Sequence, residues 1–121
     1  MDTHVLLWAL GDPEKISDET RHKIEDPDNV VWVSAVAAWE IEIKRALGKL
    51  SAPDNLVEEM RQARFTELPL QVRHARTLRV LPDLHRDPFD RMLVAQAITD
   101  DLVLITNDLR IRDYDCKTLP V

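Results

Sequence analysis

Two short runs, VVWVS at 30–34 and LVLIT at 102–106, stay apolar until their last residue. A strand with one wet face alternates apolar and polar side chains, so an unbroken run expects cover on both faces. Strands of a parallel sheet meet that condition, because their crossover connections are helices laid over the sheet.

The segments around the runs read as those helices. MDTHVLLWALGDP suits a short helix ending near Gly11, with Pro13 beyond it. A second helix is expected from Ser17, a good N-cap, to about Glu25, and DPDN at 26–29 is turn chemistry. After the first run, AVAAWEIEIKRALGK predicts a helix closed by Gly48, with Lys44, Arg45 and Lys49 toward its end. Further helices are expected over 54–64, 71–81 and 88–100, with a loop at 82–86. FTELPL at 65–70 and the terminal CKTLPV each hold a short strand, and NDLRIRDY is a turn or short helix. Strands alternating with helices predict an α/β fold with a mostly parallel sheet. Residues 1–121 are expected to form a single domain, since two glycines against seven prolines leave no flexible linker.

Bulk properties narrow the function classes. A net charge of −6, from 22 acids and 16 bases, disfavours holding phosphate by overall attraction. A nucleic-acid ligand would then need a cation or local basic patches. Cys116 is the only cysteine, which excludes an internal disulfide and fits a reducing compartment. No apolar run approaches the roughly 18 residues of a membrane span. The first residues lack the basic and long apolar parts of a signal peptide. The expected location is the cytoplasm.

Parallel α/β sheets bind ligands at the carboxyl ends of their strands. Ser34 ends one run, with Glu40 about a turn and a half into the next helix, and Thr106, Asn107 and Asp108 end the other. Asp2 and Thr3 open the first helix, and Asp90 begins the helix that leads into the second run. Each acid has an ordinary explanation. Asp87 in DPFD fits an N-cap followed by proline at N1, and Asp90 at N3 favours the helix dipole. Yet Asp90 shares a face with Leu93, Val94, Ala97 and Ile98, and a bare carboxylate on a core face is unfavourable. Glu40 could form an exposed pair with Lys44, worth about 0.3–0.5 kcal/mol. Asp108 could be a cap. Taken together, carboxylates that repel one another are retained where a divalent cation neutralises them. Oxygen ligands suit Mg²⁺ or Mn²⁺, and no histidine has zinc-like spacing.

DTHVLLW at 2–8, VSAVAAWEIEIKRALGKL at 33–50, HRDPFDRMLVAQA at 85–97 and LVLITND at 102–108 together resemble the PIN domain. More closely they resemble VapC-type toxins of bacterial and archaeal toxin–antitoxin pairs. The resemblance implies a three-layer α/β/α fold with a parallel sheet of about five strands. It implies a Mg²⁺- or Mn²⁺-dependent endoribonuclease whose catalytic, metal-holding acids are Asp2, Glu40, Asp90 and Asp108. Thr3, Ser34 and Thr106 would support them, and Asp87 matches an extra acid. Members usually carry a short apolar strand before the first aspartate, in the middle of the sheet, but here only Met1 precedes Asp2. The first strand is therefore expected to be truncated, leaving its neighbours unpaired.

The implied partners are an RNA substrate, a cognate VapB-like antitoxin and a second copy of the chain. RNA contact would fall to Arg86 and Arg91 first, then Lys44 and Lys49, with Arg45, Arg110 and Arg112 also near the acids in sequence. Trp8, Trp32 and Trp39 are expected in the core or a dimer seam, with base stacking a lesser reading. The alternatives are a non-catalytic interaction module of the same fold and a housekeeping RNA-processing nuclease. A Mg²⁺-dependent phosphatase or receiver domain fits poorly, since Asp2 is followed by Thr3-His4 rather than by a second aspartate two residues on.

Overall fold

The computed structural model describes residues 1–121. Helices α1 (Thr3–Gly11) and α2 (Asp18–Glu25) lead to strand β1 (Trp32–Ser34), which runs directly into α3 (Ala35–Ala46). Next come α4 (Leu56–Gln62), β2 (Thr66–Leu68), α5 (Val72–Thr77) and α6 (Pro88–Thr99). Strand β3 (Leu104–Ile105), α7 (Leu109–Arg112) and β4 (Thr118–Leu119) complete the chain. Short 3₁₀ turns follow α1 and α5.

Local chemistry explains the helix bounds. The Ser17 hydroxyl accepts the Thr20 N–H and the Ser34 hydroxyl accepts the Val36 N–H, each supplying an otherwise missing partner at a helix start. At the end of α3, Gly48 takes φ +69°, a left-handed conformation that stops the helix where the sequence expects it. The expected helix over 54–64 shortens to α4, and the one over 71–81 breaks into α5 and a 3₁₀ turn.

Strand alternation sorts the side chains into layers. Val33 faces a core with Val5 and Leu6 of α1 and Ala37 and Ile41 of α3. Its neighbour Ser34 faces the other way and bonds Gln96 of α6. In β3, Leu104 faces a second core with Leu93, Val94 and Ala97 of α6, while Ile105 packs on the first. Helices therefore cover both faces, an α/β/α arrangement.

The sheet differs from the expected five strands. It is two separate parallel pairs, β1 with β2 and β3 with β4. Thr66 N–H bonds the Val31 carbonyl, so alternation turns the Trp32 main chain away from β2. Leu104 and Thr106 N–H groups bond Lys117 and Leu119 of the last segment, which turns Val103 and Ile105 away from β4. These two open edges border one cleft of about 470 Å³, lined largely by apolar residues including Trp32, Leu93, Leu104 and Ile105. Met1 lies in it, and Asp2 N–H bonds the Ile105 carbonyl at 3.0 Å, the single rung of a ladder that would need a strand upstream. With no strand between β1 and β3 the sheet is divided, and the paired parts of both apolar runs are short. No helix is long and apolar enough to cross a membrane.

Candidate active site

Four helices deliver the acids, three of them from their starts. Asp2 caps α1: its Oδ1 accepts the Val5 N–H at 2.9 Å, and its Oδ2 accepts the Thr106 hydroxyl at 2.5 Å. Glu40, in the second turn of α3, is 3% exposed and accepts the Thr3 hydroxyl at 2.5 Å on Oε1. Lys44 holds its other oxygen. This is not the exposed pair of the ordinary reading, since a buried carboxylate depends on its partners.

Asp87 caps α6, as expected, accepting the Phe89 and Asp90 N–H groups at 2.8 and 3.2 Å. Asp90 points inward from the same turn. Burial, reinforced by the nearby charges of Asp87 and Glu40, pushes its pKa up to about 6. Asp108 caps α7. Burial works to raise its pKa, but the Arg110 fork, at 3.1–3.2 Å, and the Arg110 N–H outweigh it, and the carboxyl sits below the ordinary range. Asp2, Glu40, Asp87, Asp90 and Asp108 all line one cavity of about 330 Å³, together with Lys44 and Arg110.

Other expected site residues fall elsewhere. Thr3 and Thr106 bond the acids as anticipated. Ser34 does not: its hydroxyl bonds Gln96 Oε1 at 2.5 Å and caps α3, because its side chain leaves the opposite face of β1 from Val33. Arg91 is tied down, donating to the Pro82 carbonyl and the Tyr114 hydroxyl at 3.0 Å each. It clamps the 82–86 loop rather than standing free for a ligand. Arg86 and Lys49 are exposed. Trp8 forms a wall of the acidic cavity and Trp32 lines the apolar cleft. Trp39 is not core: it is 57% exposed and meets Phe89 edge-on at 5.1 Å.

His85 is the residue that sequence reasoning missed. Its ring is buried, with Nε2 2.9 Å from Asp90 Oδ2 and 3.2 Å from Asp108 Oδ2. The signal was present, since histidine stands two residues before the cap of α6 in HRDPFD.

The donor set fits a hard divalent cation. Carboxylates crowd one cavity, and the raised pKa of Asp90 reflects its burial first and the charges of Asp87 and Glu40 second. Potential ligand atoms of His85, Asp90 and Asp108 lie within 4.8 Å of one another.

The sequence model of the PIN domain matches residues 1–117. The chain belongs to the PIN domain family. This PIN domain is 31% identical over 122 residues to Ribonuclease VapC22 of Mycobacterium tuberculosis, covering 94% of this chain and 89% of that protein. It is 40% identical over 62 residues to Ribonuclease VapC16 of the same organism, covering 50% and 44% respectively. Its fold matches a chain of the crystal structure of VapBC2 from Rickettsia felis bound to a promoter DNA fragment, with a TM-score of 0.71 at 12% identity. That match covers 98% of this chain and 94% of the other.

Proposed function

We propose that this PIN domain is a metal-dependent endoribonuclease toxin, hydrolysing RNA phosphodiester bonds and inhibited by a cognate VapB-like antitoxin. The observation that carries the reading is the convergence of Asp2, Glu40, Asp90 and Asp108 on one cavity from four helices. The names of the VapC relatives and the VapBC match support the toxin class.

Asp2, Glu40, Asp90 and Asp108 would hold Mg²⁺ or Mn²⁺. Bound there, the cation would make water a better nucleophile at neutral pH and offset charge on the phosphate. Thr3 and Thr106 orient Glu40 and Asp2 by donating to them. Lys44 and Arg110 neutralise Glu40 and Asp108 and line the cavity where a phosphate would approach. Hydrolysis by water leaves a 5′-phosphate and needs no RNA 2′-hydroxyl. An acidic chain also suits a basic inhibitory segment laid across the cavity. The soluble partners of this reading are RNA, the antitoxin and a second copy of the chain, in the cytoplasm. The divided sheet favours the alternative of a non-catalytic module.

The test is cleavage of end-labelled transfer and ribosomal RNA with Mg²⁺, with Mn²⁺ and with excess EDTA, beside Asp90→Asn. Metal-dependent 5′-phosphate cuts lost in Asp90→Asn are expected. Cuts that survive EDTA or end in a 2′,3′-cyclic phosphate overturn the mechanism.

A further inference from the structure

Beside Asp90 and Asp108 lies the buried imidazole of His85. We infer that His85 is a positioning residue that holds Asp108 through its Nε2–H, with Asp90 close beside the same nitrogen, and is not itself a metal ligand. The inference rests on the metal-site reading above.

The tautomer follows from geometry. The Asp87 backbone N–H donates to His85 Nδ1 at 3.2 Å. Nδ1 therefore offers a lone pair, and in the neutral ring the proton is on Nε2. That N–H donates to Asp108 Oδ2 at 3.2 Å, and Asp90 Oδ2 lies 2.9 Å from the same nitrogen without taking a hydrogen bond from it. To ligate a cation through Nε2, the ring would have to move its proton to Nδ1 and so confront the Asp87 N–H. The ring is also held from behind: the Tyr114 hydroxyl accepts the His85 and Leu84 N–H groups at 3.0 and 3.3 Å, and Arg91 anchors the same hydroxyl. His85 thus fixes Asp108 Oδ2 before a cation arrives, while the Asp90 carboxylate accepts no hydrogen bond from the chain and remains open for the ion. Outer partners of this kind tune metal affinity by holding the ligands in place.

Two substitutions separate the roles of the ring's nitrogens. His85→Asn can still accept the Asp87 N–H but cannot reach the acids. His85→Gln reaches the acids with an N–H but gives up the Asp87 contact. Mn²⁺ affinity is read from the electron paramagnetic resonance signal of the free ion, with thermal unfolding run alongside. His85→Asn is expected to weaken Mn²⁺ binding by about ten- to a hundredfold, while His85→Gln stays near wild type. The reverse order would show that His85 serves only to cap the loop, and overturns the inference. In ¹⁵N NMR spectra the His85 Nε2–H signal is expected to persist when Mg²⁺ is added; its loss would make His85 a ligand and overturns the inference too. A wild-type protein that binds no Mn²⁺ overturns the metal-site reading, and this inference with it.

Discussion

Filling the cleft between β1 and β3 should stabilise the protein substantially. The perturbation is an extension of about four alternating Val and Ile residues ahead of Met1, long enough to run along both open edges. In a parallel ladder its groups would meet Val103 and Ile105 on one side and Trp32 on the other, continuing the rung that Asp2 already makes with Ile105. About four new hydrogen bonds at about 1 kcal/mol each would be gained. Burying four apolar side chains adds about 8 kcal/mol at about 2 kcal/mol each. Ordering four residues costs about 8 kcal/mol at about 2 kcal/mol each. The balance is about 4 kcal/mol, or a rise in Tm of more than about 10 °C for a domain of this size. Circular dichroism melts at fixed pH, with a Gly-Ser extension of equal length as control, measure it. An unchanged Tm, or the same rise from the Gly-Ser control, would show that the cleft does not accept a strand.

Other expectations follow from the charges. The Met1 ammonium is desolvated and its pKa falls from 8.0 to about 6, so the unfolded chain binds more protons between those values. Stability should therefore drop as pH falls from about 8 to 6, and N-terminal acetylation should abolish that slope in chemical denaturation. Asp90→Asn removes a carboxyl whose pKa is raised, so it should raise stability by about 1 kcal/mol at pH 7 while eliminating RNA cleavage; a destabilised variant would contradict the unfavourable burial of that charge. Lys44→Ala strips the buried Glu40 of its cation and should destabilise by about 3 kcal/mol without metal, with Mg²⁺ restoring much of the loss in melts. Ser34→Ala should cost about 1 kcal/mol of cap stability yet leave cleavage nearly intact, because its hydroxyl is turned to Gln96.

Helical periodicity was enough to turn Asp90 inward, because residues three, four and seven positions on are all core. The caps Ser17, Asp87 and Gly48 were likewise legible, since each depends only on its own few neighbours. The apolar runs revealed burial but not pairing: β1 and β3 keep only three and two residues because pairing depends on a neighbour elsewhere in the chain. Ser34 was misplaced for a related reason. Its position at a strand end suggested the site, but the direction of its side chain is set by strand alternation. His85 escaped notice because its role depends on Asp108, far along the chain, and on a hydrogen bond from the backbone of Asp87. Trp39, expected in the core or a dimer seam, is carried by α3 on an open side.

The bond between Asp2 and Thr106 joins residues 104 positions apart in sequence, and Asp108 follows directly on that strand. Strand β3 in turn pairs with Thr118 and Leu119. The acidic centre therefore closes only when distant segments of the domain have met, and no local fragment of the sequence can assemble it. Its geometry reports completion of the whole fold and not of any one helix.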